Sequence, residues 1–140
     1  MLMKQAGCVA IWIGIESFDD RVLSKNKKGY TKAQLINLLN LLKDNGISYS
    51  AFIMFGMYGD NLESLNFTID TIIKNQIKTS KSFIQCIPRP GTQLYMKLNN
   101  SIRNKVNHFW QIDSLQNKFN DRLTQKDIDS ALSKLINYTH

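Results

Sequence analysis

The stretch Val9-Ala10-Ile11-Trp12-Ile13-Gly14-Ile15-Glu16-Ser17 decides the fold. Seven largely apolar residues run without polar alternation, the pattern of a parallel strand buried on both faces. The run closes on a carboxylate and a hydroxyl. In α/β folds the carboxyl ends of the strands and the loops beyond them form the ligand crevice. A partly buried Glu at that position is costly unless a cation or hydrogen-bond donors meet it.

Outward from this strand the chain reads as repeated β-loop-α units. Asp19 to Leu23 forms a short helical turn. Thr31 is an N-cap with Gln34 three residues on, a capping box. Leu35, Leu38, Leu39 and Leu42 follow at helical spacing, and Asn45-Gly46 stops that helix. A second strand spans 47–55, and Asp60 with Glu63 suggests the capping box of the next helix, whose stripe is Leu62, Leu65, Ile69, Ile72 and Ile73. A third strand spans 82–87 and is ended by Pro88-Arg89-Pro90-Gly91-Thr92, with a short helix over 93–98. Beyond residue 99 a polar stretch carries Phe109, Trp110 and Phe119. A last helix begins at Thr124, with Ile128, Ala131, Leu132, Leu135 and Ile136 on one face. The expected architecture is α/β: three parallel strands in the order 1-2-3, their helices on one face, and a helical C-terminal appendage. Residues 1–98 form the α/β unit and 99–140 the extension.

A chain of 140 residues suits one domain with a real core. No segment has the length of a membrane span, and the first residues lack the pattern of a signal peptide. Cys8 and Cys86 are too few and too far apart for a disulfide framework; the expected compartment is the reducing cytoplasm. The net charge is +7, but the basic residues are scattered and only Lys25-Asn26-Lys27-Lys28 clusters. No aromatic-basic interleaving of the kind used for base stacking appears, so the basic balance reads as solvated lysine surface, with no nucleic-acid and no membrane partner expected. Three strands leave unpaired edges. The first strand is too apolar for a comfortable edge, and Met1 to Ala6 followed by Gly7 reads as the end of a helix. The expectation is a chain that starts inside a larger fold.

Three strand-loop junctions carry the chemistry. Ile15-Glu16-Ser17 offers a carboxylate and a hydroxyl. Gly56-Met57-Tyr58-Gly59-Asp60 offers backbone exposed at two glycines and an acid at a helix start. Pro88-Arg89-Pro90-Gly91-Thr92 is a rigid turn with one Arg. In this order and spacing they resemble the C-terminal half of a radical S-adenosylmethionine core domain. The segment from Ala6 through Ile13-Gly14-Ile15-Glu16-Ser17, with Asp19-Asp20, Val22-Leu23 and Lys28-Gly29, is similar to the family's fourth-strand segment. Phe52-Ile53 with Gly56 to Asp60 is similar to its fifth, and Ile87 to Thr92 with Leu94-Tyr95 to its sixth. The nearest flavour is the branch often fused to a cobalamin-binding domain, whose tail Leu123-Thr124 and the following helix resemble.

The resemblance implies a partial (β/α) barrel and an S-adenosylmethionine pocket. Glu16 and Ser17, beside Gly14, would meet its ribose or methionine part; Ile53 and Gly56 would pack near the adenine; Pro88 and Arg89 would line the rim. Phe18, Tyr58 and Asp60 depart from the family wording, in which Gly, Pro and Glu stand there, and Tyr58 would reshape the pocket. The Cys-x3-Cys-x2-Cys motif that holds the family's [4Fe–4S] cluster is absent from these 140 residues, so no metal ligands are assigned. Cys8 and Cys86 read as small core residues and His108 and His140 as structural or solvated. The expected function is a truncated radical S-adenosylmethionine protein, inactive alone, with the other half of the barrel supplied by a separate chain and self-association through the bare first strand. The alternative is a non-enzymatic α/β module that binds a ligand or a protein.

Overall fold

The computed structural model describes residues 2–98, 100 and 123–138. Strands β1 (Ala10–Glu16), β2 (Ser48–Phe55) and β3 (Thr79–Gln85) form one parallel sheet in the order β1-β2-β3. Around them lie α1 (Leu2–Gln5), α2 (Asp20–Lys25), α3 (Lys32–Asp44), α4 (Leu62–Lys74), α5 (Gln93–Met96) and α6 (Gln125–Tyr138). The expected topology holds. Phe109, Trp110, Phe119, His108 and His140 lie outside the described residues.

Local chemistry explains the helix ends. Thr31 Oγ1 accepts from the Gln34 amide while the Gln34 side chain accepts from the Thr31 amide, a closed capping box. At the far end Gly46 takes a φ of +63° and the Ile47 amide returns to the Leu42 carbonyl, so the helix stops where glycine can turn left-handed. The box expected from Asp60 and Glu63 is instead built one residue later. Asn61 caps α4 with Ser64 as its reciprocal partner. Asp60 is thereby freed for the loop before the helix.

Two further expectations are corrected. The first strand is not buried on both faces. Ile15 is fully buried and Ile11 and Ile13 pack against the helix-side core, whereas Trp12 is 82% exposed. The apolar residues of the other face have nothing over them among the described residues, so an uninterrupted apolar run here yields alternating burial. β3 begins at Thr79, three residues before the expected start, because Ile77-Lys78 already bring the backbone alongside β2; the Lys78 carbonyl accepts from the Ala51 amide. The core fills the space between the sheet and its helices, with Ile15, Leu39, Leu42, Ile53, Ile69 and Ile72 at its centre. The C-terminal helix contributes Ile128, Ala131 and Leu135 to that core and packs chiefly on α4, where Lys134 Nζ donates to Asn66 Oδ1 at 2.8 Å.

Candidate functional site

The parallel sheet brings the ends of β1, β2 and β3 to one edge, and three loops rise from it. At the first, β1 slips register. Gly14 pairs with Phe52, yet Glu16 pairs with Ile53, so Ile15 is an extra residue in a bulge. Bulges re-aim side chains at sites of this kind. Glu16 has φ +68°, a left-handed conformation that costs a non-glycine residue about 1 kcal/mol or more. Its carboxylate curls back over Gly14, and a Cβ built on Gly14 would stand 3.0 Å from Glu16 Oε1. Glycine at position 14 therefore leaves the room in which this carboxylate lies.

Lys28 answers the carboxylate. Its Nζ stands 3.5 Å from Glu16 Oε1, and both side chains are partly buried. Tyr30 reaches the same place, its hydroxyl donating to the Gly14 carbonyl at 3.2 Å. Burial, and next the charge of Glu16, push the Tyr30 phenol above its usual range. Cys86 follows β3 on the same edge, with its amide donating to the Phe55 carbonyl. Burial, reinforced by Glu16, raises its thiol to about 11, so it stays protonated and unreactive at neutral pH.

The loops beneath are fixed by buried polar groups. Ser17 is 4% exposed and turns away from the edge: its hydroxyl shares a hydrogen bond with Thr68 of α4 at 3.1 Å and accepts from the Asp19 amide. Thr68 also accepts from the Phe18 amide. Phe18, where the family wording has Gly, is fully buried. Asp19 caps α2 and pairs with Arg21 at 2.8 Å; the Arg21 side chain is the main reason its carboxyl titrates below the usual range.

In the second loop Gly56 takes φ +74° and Gly59 φ +84°. Asp60 accepts from the Gly56 amide at 2.8 Å, the Asn61 amide at 3.1 Å and the Ser64 hydroxyl. Burial is the dominant influence on Asp60 and holds its carboxyl above the ordinary range, against the lowering effect of these donors. Ile53 is buried with its side chain in the core, so only its backbone reaches toward the edge. In the third loop Pro88 is buried and Arg89 exposed. The structure thus gathers Gly14, Glu16 and Gly56 at the edge. Ser17 and Ile53 face inward as supports, and Arg89 stands on the outside. Sequence reasoning missed Lys28 as a partner of Glu16: it appeared as one lysine in a basic run, and only the turn after α2 reveals its direction.

Two cavities among the described residues lie elsewhere. One of about 630 Å³ opens between α3 and α4 and is lined by Lys32, Ile36, Phe67 and Lys74, while another of about 330 Å³ lies at the opposite end of the sheet by Lys43, Ser48, Tyr49 and Lys78. Neither adjoins the strand ends where the charged pair sits. Cys8 precedes β1 and Cys86 follows β3, which puts the two thiols at opposite ends of the sheet. They do not form the donor set of an iron–sulfur cluster.

A family model described as the Radical SAM superfamily matches residues 1–72. An uncharacterized methyltransferase of Pyrococcus horikoshii is 31% identical over 93 residues, covering 66% of this chain and 20% of that protein. A tRNA uridine(34) acetyltransferase of Methanocaldococcus infernus is 28% identical over 100 residues, covering 66% of this chain and 18% of its own length. Among solved structures, the archaeal Methanocaldococcus infernus Elp3 with an N-terminal deletion superposes with a TM-score of 0.59 at 27% identity, over 67% of this chain and 22% of that one. The chain thus spans about a fifth of the length of the curated relatives it matches.

Proposed function

This chain belongs to the radical SAM superfamily, and from that premise we propose that it is a partial core whose strand ends form one wall of an S-adenosylmethionine pocket. The observation that carries the reading is the Glu16–Lys28 pair, 3.5 Å apart at the carboxyl end of the sheet. The methionine part of the ligand is an α-amino acid zwitterion. Glu16 would take its ammonium group and Lys28 its carboxylate. Each protein charge exchanges one opposite partner for another, so neither is left bare in the free or the bound protein. The strained backbone of Glu16 and the open space above Gly14 hold the carboxylate in place before any ligand arrives. Gly56 and the backbone of Ile53 would border the adenine, and Pro88 and Arg89 the outer rim. Ser17 acts from beneath, fixing the loop to α4 through Thr68.

Once bound, S-adenosylmethionine supplies a sulfonium centre with activated C–S bonds. A [4Fe–4S] cluster does not fit the two separated cysteines, and in this proposal its ligands lie outside these 140 residues, in a separate chain or another part of the same protein that completes the barrel. That remainder of the barrel would pair along β1, where Trp12 is 82% exposed, and the same surface would drive self-association when it is missing. Alone the chain is catalytically inactive, in a cytoplasmic setting that the sparse cysteines favour. No helix among the described residues is long and apolar enough to cross a membrane.

Equilibrium dialysis with S-adenosylmethionine tests the reading. Saturable one-to-one uptake is expected, weakened in both Glu16→Gln and Lys28→Met. Uptake indifferent to both substitutions would overturn it. Incubated with iron, sulfide and dithionite, the chain is expected to yield no 5′-deoxyadenosine, and formation of that product would contradict the placement of the cluster ligands outside these residues.

A further inference from the structure

The fold assembles what the linear sequence keeps apart. The basic run 25–28 lies at the end of α2, and no aromatic residue stands within it. In space it meets the second and third loops. Asn26 Nδ2 donates to the Tyr58 carbonyl at 2.9 Å. The Lys25 side chain lies so close to Gly59 that an added Cβ would fall 2.5 Å from its Cδ. Lys27 Nζ donates to Gln93 Oε1 at 3.3 Å, which ties the run to α5. Lys97, just past α5, sets its Nζ 3.8 Å from the centre of the Tyr58 ring. Tyr58 itself is 43% exposed.

The result is an aromatic ring with the Lys97 ammonium over it, Lys25 against the next glycine of its loop and Lys27 on α5, at the rim of the strand-end edge. The ion pairs among the described residues engage Arg21 and Lys28, and none engages Lys25, Lys27 or Lys97. The nearby acids are committed: Glu16 to Lys28, Asp19 to Arg21, and Asp60 to the donors of its own loop. A surface of this composition has a stated chemical complement. Lysines without carboxylate partners take phosphates, and an exposed aromatic ring among them takes a nucleobase by stacking, the arrangement used for single strands.

We propose that Lys25, Lys27, Lys97 and Tyr58 form a docking rim for a single-stranded nucleic acid, with phosphates on the three lysines and a base against the tyrosine. This departs from the reading of scattered, merely solvating charge, because the interleaving of basic and aromatic groups arises only on folding. If the pocket proposed above is correct, the strand lies across its mouth as substrate. That last step rests on that reading, whereas the phosphate contacts do not.

The test is fluorescence anisotropy with an end-labelled single-stranded RNA dodecamer, titrated at several salt concentrations. Single strands lose affinity with a log–log salt slope of about 0.7 per neutralised phosphate. The Lys25→Ala, Lys27→Ala, Lys97→Ala triple variant should therefore flatten the slope by about 2. Tyr58→Ala should weaken binding about fivefold or more with the slope unchanged, as expected for loss of one stacked base. A control triple variant at Lys43, Lys74 and Lys78, toward the other end of the sheet, removes equal charge and should shift affinity less than twofold. Far-UV circular dichroism verifies that each variant is folded. Equal losses in both triple variants would overturn the proposal, because net charge alone would then explain binding. Equally tight binding of a DNA duplex, or displacement by millimolar inorganic phosphate, would overturn it in favour of a plain anion site. Loss of RNA binding by a chain that still takes up S-adenosylmethionine counts against the rim alone, and the converse counts against the pocket alone.

Discussion

Asp60→Ala removes the carboxylate that ties the second loop together, and its cost can be worked from the hydrogen bonds. The Asn61 amide keeps an acceptor in Ser64 Oγ at 2.9 Å, and the Ser64 hydroxyl keeps the Asn61 carbonyl at 2.9 Å. The buried Gly56 amide loses the acceptor it has at 2.8 Å. One orphaned buried donor costs about 1–3 kcal/mol. Relief from burying a charge offsets part of the bonds lost, so the net destabilisation expected is about 2 kcal/mol. For a chain of this size that lowers Tm by roughly 7 °C. Urea unfolding followed by far-UV circular dichroism is the assay. The pH dependence adds a signature. Burial raises the folded carboxyl above its unfolded value of 3.8. The contribution of Asp60 is therefore complete below that value and shrinks as pH rises through the folded one. The gap between the wild type and Asp60→Ala should be wider at acidic than at neutral pH. A gap under about 0.5 kcal/mol, or one that widens with rising pH, would refute the reasoning.

Other consequences follow from single contacts. Thr68→Val keeps shape but strands the Phe18 amide, and should cost about 2 kcal/mol in chemical denaturation, with S-adenosylmethionine uptake weakened because the Glu16 loop loses its anchor. Glu16→Gly relieves the left-handed backbone and should stabilise the fold by about 0.5–1 kcal/mol while abolishing uptake; a less stable variant would show that the strain is not felt. Gly14→Ala should leave thermal stability nearly intact yet impair uptake, because its methyl group displaces the Glu16 carboxylate. Trp12→Ser should lower self-association in sedimentation without loss of stability, since the ring is 82% exposed. Lysine at Ile11 or Ile13 is a poor substitute, because both side chains pack on the core.

Much of the fold was legible because local signals agreed with tertiary ones. Thr31 and Gln34, Gly46, and the leucine spacing of α3 all point to the same helix, and the structure has it. The misplaced cap at Asp60 shows the limit of such signals. Asp and Asn are both good caps, and the choice of Asn61 follows from the demand of the buried Gly56 amide for an acceptor. The burial of β1 was misjudged because an apolar run reports only what each face could bury, not what covers it. At the site, Glu16 stood out by its position at a strand end. Its partner did not, because Lys28 lies twelve residues on, across a helix and a turn, and no periodicity links the two. Ser17 sits in the right sequence motif but points into the protein, and only its contact with Thr68, fifty-one residues away, shows this.

The central claim is that the strand ends form a wall of an S-adenosylmethionine pocket, and a ¹⁵N-labelled chain titrated with that ligand tests it most directly. The account predicts amide shift changes confined to Gly14, Glu16, Lys28, Gly56 and their neighbours, saturating at one equivalent and lost in Glu16→Gln. Changes centred on the cavity between α3 and α4, or none at millimolar ligand, would contradict it.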